Sequence, residues 1–272
     1  MSLPSSLLDV LQKRVSLRRY DPKPLRQADV DVILEAAMRA PTAGNMMMYS
    51  ILIISDNELK QRLSETCDHQ PFIAKAPFVL VFLADMQRWF DYYHYANVAE
   101  YCIAEGKEFC GPDEADLLLA GCDALIAAQN SVIAAETLGI GSCYIGDIME
   151  NYETHRDLLK LPPWVFPVTM LCFGYYPQGE RPEQRPRFER QYIVSENGYK
   201  RLDDAELASM FAKRSADKFD PKNAFNAQNY GQFLYARKTG ADYAAEMARS
   251  VQAALKNWRG DVIVADKSEK LK

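Results

Sequence analysis

The longest helical pattern in the chain runs from Asp113 to Leu138, is rich in alanine and leucine, and is closed by Gly139 as a C-terminal cap. Apolar residues extend nearly all the way round such a helix, so it must be covered on most sides and is expected at the centre of the molecule. Its flanks show what can cover it. YSILIIS (49–55) and PFVLVFLA (77–84) are short β-rich runs with the character of buried strands. A glycine-bearing strand, IGSCYIGD, follows the central helix, and a further strand is expected near 165–174. Helices are expected over 5–15, with Leu7, Leu8, Leu11 and Val15 at helical spacing, over 27–39, with Val30, Ile33, Leu34, Ala37 and Met38 on one face, and near 151–160. The stretch 85–114 reads as irregular and aromatic-rich, with Trp89, Phe90, Tyr92, Tyr93, Tyr95 and Tyr101 close together. Short strands interleaved with helices indicate an α+β or α/β core. The C-terminal part differs: it is polar, shows no clear strand, reads as loop at KNAFNAQNYGQF, and ends in one amphipathic helix, ADYAAEMARSVQAALKNW.

With 272 residues, 48% of them hydrophobic, the chain can bury a large core as one domain with elaborations, or one domain plus an arm. A net charge of −5 argues against a general nucleic-acid binder, which carries a basic surplus. No apolar run approaches the ~18–20 residues that span a bilayer. The start, MSLPSSLLDVLQKR, has no basic leader followed by an apolar stretch, so neither a membrane nor a secretory route is expected and the location expected is cytoplasmic. The six cysteines form no CxxC pair and the three histidines are far apart, so neither an iron–sulfur cluster nor any other metal site is expected.

Four short segments carry residue types suited to ligand chemistry. Arg14-Val15-Ser16-Leu17-Arg18 sets two guanidiniums four residues apart with a hydroxyl between them, donors that could converge on one phosphate; basic residues at a helix C-terminus also simply complement its dipole. Arg185-Pro186-Arg187 projects two arginines from a stiff, proline-rich stretch, and reads equally as a solvated basic loop. Pro41-Thr42-Ala43-Gly44-Asn45 is a small-residue loop that lets backbone approach a flat ring, or a plain helix-to-strand turn. Gly139-Ile140-Gly141-Ser142-Cys143-Tyr144-Ile145-Gly146 has three glycines without the G-x-G-x-x-G spacing and follows a helix, which excludes a dinucleotide-binding reading; a backbone N–H near Gly146 could meet a ligand's acceptor. No nucleophile–base pair, HExxH or P-loop is present, so no catalytic side chain is nominated: either a cofactor carries the chemistry or the chain is not an enzyme.

In order and spacing, these segments together resemble the FMN-dependent nitroreductase family over about residues 8–200. RVSLRRYDPKPL is similar to the family's opening motif, and the resemblance implies that Arg14, Ser16 and Arg18 bind the FMN phosphate and ribityl chain, with Val15 contributing main chain. APTAGN is similar to the loop that reaches the flavin from the neighbouring subunit, implying roles for Pro41, Thr42, Ala43 and Asn45. HQPF resembles the site where a glutamine, here Gln70, meets the pyrimidine edge of the ring. Tyr144, Ile145 and Gly146 match the segment along the isoalloxazine, and Arg185 and Arg187 match the late basic pair of the phosphate site. One departure is Met46-Met47-Met48-Tyr49, where the family often has Gln-Pro-Trp after its asparagine loop.

The resemblance implies an α+β sandwich with a central, mainly antiparallel sheet flanked by helices, assembled as an intertwined homodimer. It divides the chain into an FMN-binding domain (1–200) and a C-terminal arm (201–272) packed on the partner subunit. Its implied function is two-electron transfer from NADH or NADPH through FMN to a small electron-poor acceptor, such as a nitroaromatic or quinone, by a ping-pong mechanism. Reductive dehalogenation, enone reduction and flavin fragmentation are the alternatives within the same fold, and a non-catalytic flavin-binding regulatory protein is the alternative from a different class.

Overall fold

A computed structural model describes residues 6–259, which fall into two compact units: 6–183 with 246–259, and 184–245. The division expected at residue 200 falls inside the second unit, and the segment from 246 belongs with the first. The ends 1–5 and 260–272, including the close of the expected arm, lie outside the described residues.

The first unit contains helices α1 (Leu7–Lys13), α2 (Gln27–Met38), α3 (Asn57–Thr66), α4 (Pro71–Ala74), α5 (Gln87–Tyr95), α6 (Val98–Ala104), α7 (Glu114–Thr137) and α8 (Tyr152–Leu159). Its strands are β1 (Tyr49–Ile53), β2 (Phe78–Asp85), β3 (Ile140–Ile145) and β4 (Val165–Tyr175). They form one sheet in the order β1-β2-β4-β3, every neighbouring pair antiparallel. The central strands β2 and β4 are covered on both faces, which is why their sequences read as continuous apolar runs. Side chains alternate across a strand, so Phe78, Leu80 and Phe82 of β2 join Leu171 and Phe173 of β4 on one face. Val79, Val81 and Leu83 join Met170 and Cys172 on the other. The register slips between Phe82, opposite Thr169, and Leu83, opposite Pro167, a bulge beside a proline that has no N–H for the ladder.

The first face is closed by α2 and α7, the second by α3 and α4. Starting from a capping box between Asp113 and Asp116, α7 lays Ala124, Ala127, Ala128, Val132 and Ala135 against the sheet. It is long and apolar enough to cross a membrane by length and composition, which the absence of a long apolar run did not suggest. Its buried face nevertheless carries Asp123 and Glu136 and packs on all four strands, the arrangement of a core helix. Nor is α7 covered all round: Leu118, Leu119, Leu125 and Ile126 form an outward stripe, with Leu118 72% exposed. On α1, likewise, Leu7, Leu8 and Leu11 are exposed and Val10 is the buried residue.

Most of the 85–114 stretch is not irregular: residues 87–104 fold into α5 and α6, and 105–113 lack regular structure. Its aromatic residues have only middling helix propensity, and tertiary packing supplies the rest: buried Phe90 lies 5.0 Å from the Trp164 ring and 5.9 Å from Phe109. The helix α3, absent from the sequence reading, is capped by Asp56, whose carboxylate accepts from the Leu59 N–H at 2.6 Å.

The second unit holds α9 (Asp204–Lys218), which has its own Asp203/Glu206 capping box, and α10 (Tyr230–Leu234), which runs into a π-helical turn, Tyr235–Thr239, within and beyond the stretch read as loop. The last helix, α11 (Asp242–Trp258), matches the expected amphipathic helix, but from residue 246 it packs within the first unit of its own chain. Ala254 and Trp258 are buried with Phe90, Tyr152 and Phe166, and the Trp258 indole donates to the Asp113 carbonyl at 2.9 Å.

Candidate functional site

The site begins where α1 stops. Ser6 caps the helix by accepting from the Asp9 N–H, and the backbone leaves the helical region at Arg14. From there the chain runs extended along β3: Ser16 bridges Ser142, and the Leu17 N–H donates to the Ser142 carbonyl at 2.8 Å. Alternation buries Val15 and Leu17 and sets Arg14, Ser16 and Arg18 on the opposite side. A dipole role at the helix end does not account for Arg18, which lies five residues beyond the last helical residue.

This attachment needs room. Gly141 of β3 sits opposite Gly174 of β4. A Cβ on Gly141 would come within 2.7 Å of the Leu17 side chain, and one on Gly174 within 2.6 Å of Tyr20. The two glycines therefore let residues 17–20 lie flat against the edge of the sheet.

The donor row has the character of an anion site. Arg14 Nη1 is buried without a hydrogen-bond partner among the described residues, a costly state for a cation unless an anion meets it. Ser16 and Arg18 line a cavity of about 380 Å³ together with Arg19, Glu180 and Arg181. Sequence reading missed Arg181. Its guanidinium pairs with buried Glu136 at 2.9 Å and stacks 4.5 Å over the Tyr176 ring, whose hydroxyl donates to the same carboxylate at 2.7 Å. Burial raises the Glu136 carboxyl above its ordinary value, against the lowering effect of these partners.

At the far end of β3, the Tyr144 hydroxyl donates to the Gln129 side-chain oxygen at 3.2 Å, Ile145 is buried in the core, and Gly146 is exposed. A role for Ile145 beside a ligand is thus confined to its main chain. Gln70, which precedes α4, is tied to the next residue of this segment: its amide nitrogen donates to Asp147 Oδ2 at 2.7 Å and to the Cys67 carbonyl at 2.9 Å. Buried His155 holds the same turn, with Nδ1 2.8 Å from the Ile148 carbonyl. Three predicted groups, Arg14–Arg18, Tyr144–Gly146 and Gln70, thus meet along the β3 edge.

The loop of Pro41, Thr42, Ala43 and Asn45 does not join them within the chain. It leads into β1, the opposite edge of the sheet, three strand spacings or roughly 14 Å from β3. Gly44, Asn45 and Met47 adopt left-handed backbone, with φ of 56°, 57° and 52°. Buried Asp123 of α7, also missed in the sequence, pins this conformation by accepting from the N–H groups of Ala43 at 2.9 Å and Met48 at 3.3 Å. The Trp89 indole donates to the Met46 carbonyl at 3.0 Å. The methionines that depart from the family pattern therefore belong to a fixed loop. Arg185 and Arg187 are exposed in the second unit and form no ion pair among the described residues.

A family model described as the nitroreductase family matches residues 11–175, more than half of the chain. The chain belongs to the nitroreductase family. An oxygen-insensitive NADPH nitroreductase of Salmonella typhimurium is 32% identical over 204 residues, 75% of this chain and 79% of that protein. An FMN reductase (NAD(P)H) of Bacillus subtilis is 31% identical over 194 residues, 71% of this chain and 74% of that one. The fold is shared with an NADPH:FMN oxidoreductase of Vibrio harveyi solved in complex with NAD+, at a TM-score of 0.72 and 22% identity over 92% of this chain and 97% of that one. The antiparallel sheet flanked by helices is thus the α+β nitroreductase fold.

Beside the Gln70–Asp147 pair, Glu150 is buried, with Oε1 lacking a partner among the described residues. Burial first, then the charge of Asp147, raises its pKa from 4.5 to about 7. The folded chain holds this proton where the unfolded chain has released it, so the stability it confers is full below pH 4.5 and lost as pH rises through about 7. In Glu150→Gln, thermal midpoints should fall less across that window, and the variant should exceed wild type above it. Parallel pH profiles would contradict this.

Proposed function

We infer that this chain is a flavin-dependent oxidoreductase that passes two electrons from NAD(P)H through FMN to a small electron-poor acceptor such as a nitroaromatic or quinone. The observation that carries this reading is the row of Arg14, Ser16 and Arg18 on one side of the segment docked on β3, with an unsatisfied guanidinium nitrogen at its buried end. Two permanent cations and a hydroxyl suit a phosphate monoester, and the relatives named for NADPH and FMN make the FMN phosphate the occupant that fits. The residues present therefore fit FMN, which when bound supplies the hydride chemistry. The chain's own part is to hold and orient. Arg14, Ser16 and Arg18 anchor the phosphate end, with Val15 offering main chain only, since its side chain is buried. Gln70 meets the pyrimidine edge, and the exposed backbone at Gly146, beyond Tyr144 and Ile145, offers an N–H to the reacting edge. The resemblance adds Arg185 and Arg187 to the phosphate's ligands. Donor and acceptor occupy the remaining space in turn, and a cytoplasmic location suits such a donor.

The site needs a second copy of the chain. Pro41, Thr42, Ala43 and Asn45 sit at the wrong edge of the sheet to reach their own β3, so in this reading they serve the neighbouring subunit. The outward stripe of α7 offers the surface for that pairing. Burying a leucine or isoleucine contributes about 1.5–3 kcal/mol. Half of that for four side chains on each copy is about 6–12 kcal/mol, comparable with an association cost of roughly 4–15 kcal/mol. Residues 201–245 of the expected arm complete the intertwined dimer.

Two measurements test this. The double variant Arg14→Ala/Arg18→Ala loses two charge-assisted hydrogen-bonding partners, so its FMN Kd should rise roughly a hundredfold or more while riboflavin, lacking the phosphate, binds as before. FMN held as tightly as by wild type would contradict the phosphate assignment. Leu118→Glu/Leu125→Glu should sediment as a monomer and lose FMN affinity with it; an unchanged dimer would place the interface elsewhere.

A further inference from the structure

The turn after β3 contains a carboxylate that the reading above leaves without a role. Asp147 faces the Gln70 amide nitrogen at 2.7 Å, and the Cys67 carbonyl faces the same nitrogen at 2.9 Å. Two acceptors on one end of an amide identify that end as the NH2 group, since an oxygen there would meet only oxygens. Both N–H bonds are thereby used inside the protein. The Gln70 side-chain oxygen, Oε1, is the one polar atom of the side chain left to offer outward, and it has no partner among the described residues.

Every support of this arrangement is itself held. The Gln70 N–H donates to the Ser64 carbonyl at 2.8 Å and the Ser64 hydroxyl to the Gln70 carbonyl at 2.9 Å, fixing the backbone on both sides. Cys67 is fully buried, so its carbonyl belongs to the rigid end of α3. On the other side, the Glu150 N–H closes the turn onto the Asp147 carbonyl at 3.1 Å. With the Cys67 carbonyl alone, the half-buried amide could exchange its second N–H with water and turn its ends about. The carboxylate, a charged acceptor, removes that freedom.

We propose that Asp147 is a positioning residue that locks the Gln70 amide with only its oxygen outward, so that this edge of the site accepts a ligand N–H and rejects a ligand acceptor or a methyl group. The inference rests on the flavin reading, in which the matching donor is the imide N–H of the isoalloxazine pyrimidine ring.

The test compares the full-length protein's affinities for FMN and for 3-methyl-FMN, which lacks that N–H. Wild type should prefer FMN about tenfold, the scale of one hydrogen bond lost against a group that cannot be satisfied. In Asp147→Ala the preference should fall toward unity, because the amide can then turn or retreat. Asp147→Leu, which keeps the bulk of the side chain, gives the same comparison should the alanine variant be poorly folded. A general loosening of the turn would weaken both flavins and leave their ratio intact, so the ratio is the deciding quantity. Wild type that binds neither flavin overturns the flavin reading itself. Wild type that binds both equally, or variants that keep the wild-type preference, overturn the role of Asp147 alone.

Discussion

The packing of the alanine face of α7 on the sheet is the interaction on which the rest of this structure depends. Alanine at 124, 127, 128 and 135 brings the helix backbone close to the strands, so the few larger groups on α7 reach elements far apart in the fold. Asp123 fixes the left-handed loop before β1, Gln129 takes the Tyr144 hydroxyl beside the end of β3, and Glu136 gathers Tyr176 and Arg181 near the arginine row. The same helix turns four large apolar side chains outward. The face that sets register within the chain and the face offered to a second copy in the proposed dimer thus lie on opposite sides of one element.

The edge position of β3 explains why the candidate site lies where it does. An edge strand presents unpaired backbone groups that must be covered. Here the covering segment is Arg14–Arg18, admitted by the facing glycines 141 and 174, and strand alternation sorts its residues into buried apolar anchors and outward donors. A local steric allowance, two missing methyl groups, therefore decides the placement of a charged site. The opposite edge, β1, carries the Pro41–Asn45 loop, and in the proposed dimer this separation is what makes a single copy of the chain an incomplete site.

The sequence was most legible where one residue type serves one physical purpose. Periodicity left the fold class between α+β and α/β, and only the family resemblance selected α+β, but the strand runs of β2 and β4 and the long helix with its Gly139 stop could be read directly from periodicity and composition. So could the members of the arginine row, although their common side is fixed only by the extended backbone after Lys13. What escaped were features made by tertiary contact. The helix α5 is held by aromatic packing around Phe90, a tertiary effect that local propensity does not carry. Asp123, Asp147 and Arg181 act on partners 80, 77 and 45 residues away, and nothing local marks an aspartate within an apolar helix as the anchor of a distant loop. The outward leucines of α1 and α7 looked like core because an apolar stripe at helical spacing reads the same whether the chain's own fold covers it or leaves it outward.

At the centre of the proposed function is a flavin held at the β3 edge and reduced there by a nicotinamide. The most direct test is the visible absorption spectrum of the purified protein, supplied with FMN if needed and then treated without oxygen with NADH and, separately, NADPH. Bound-flavin absorption that either nucleotide bleaches is the expected outcome. A colourless protein that also refuses added FMN would contradict it.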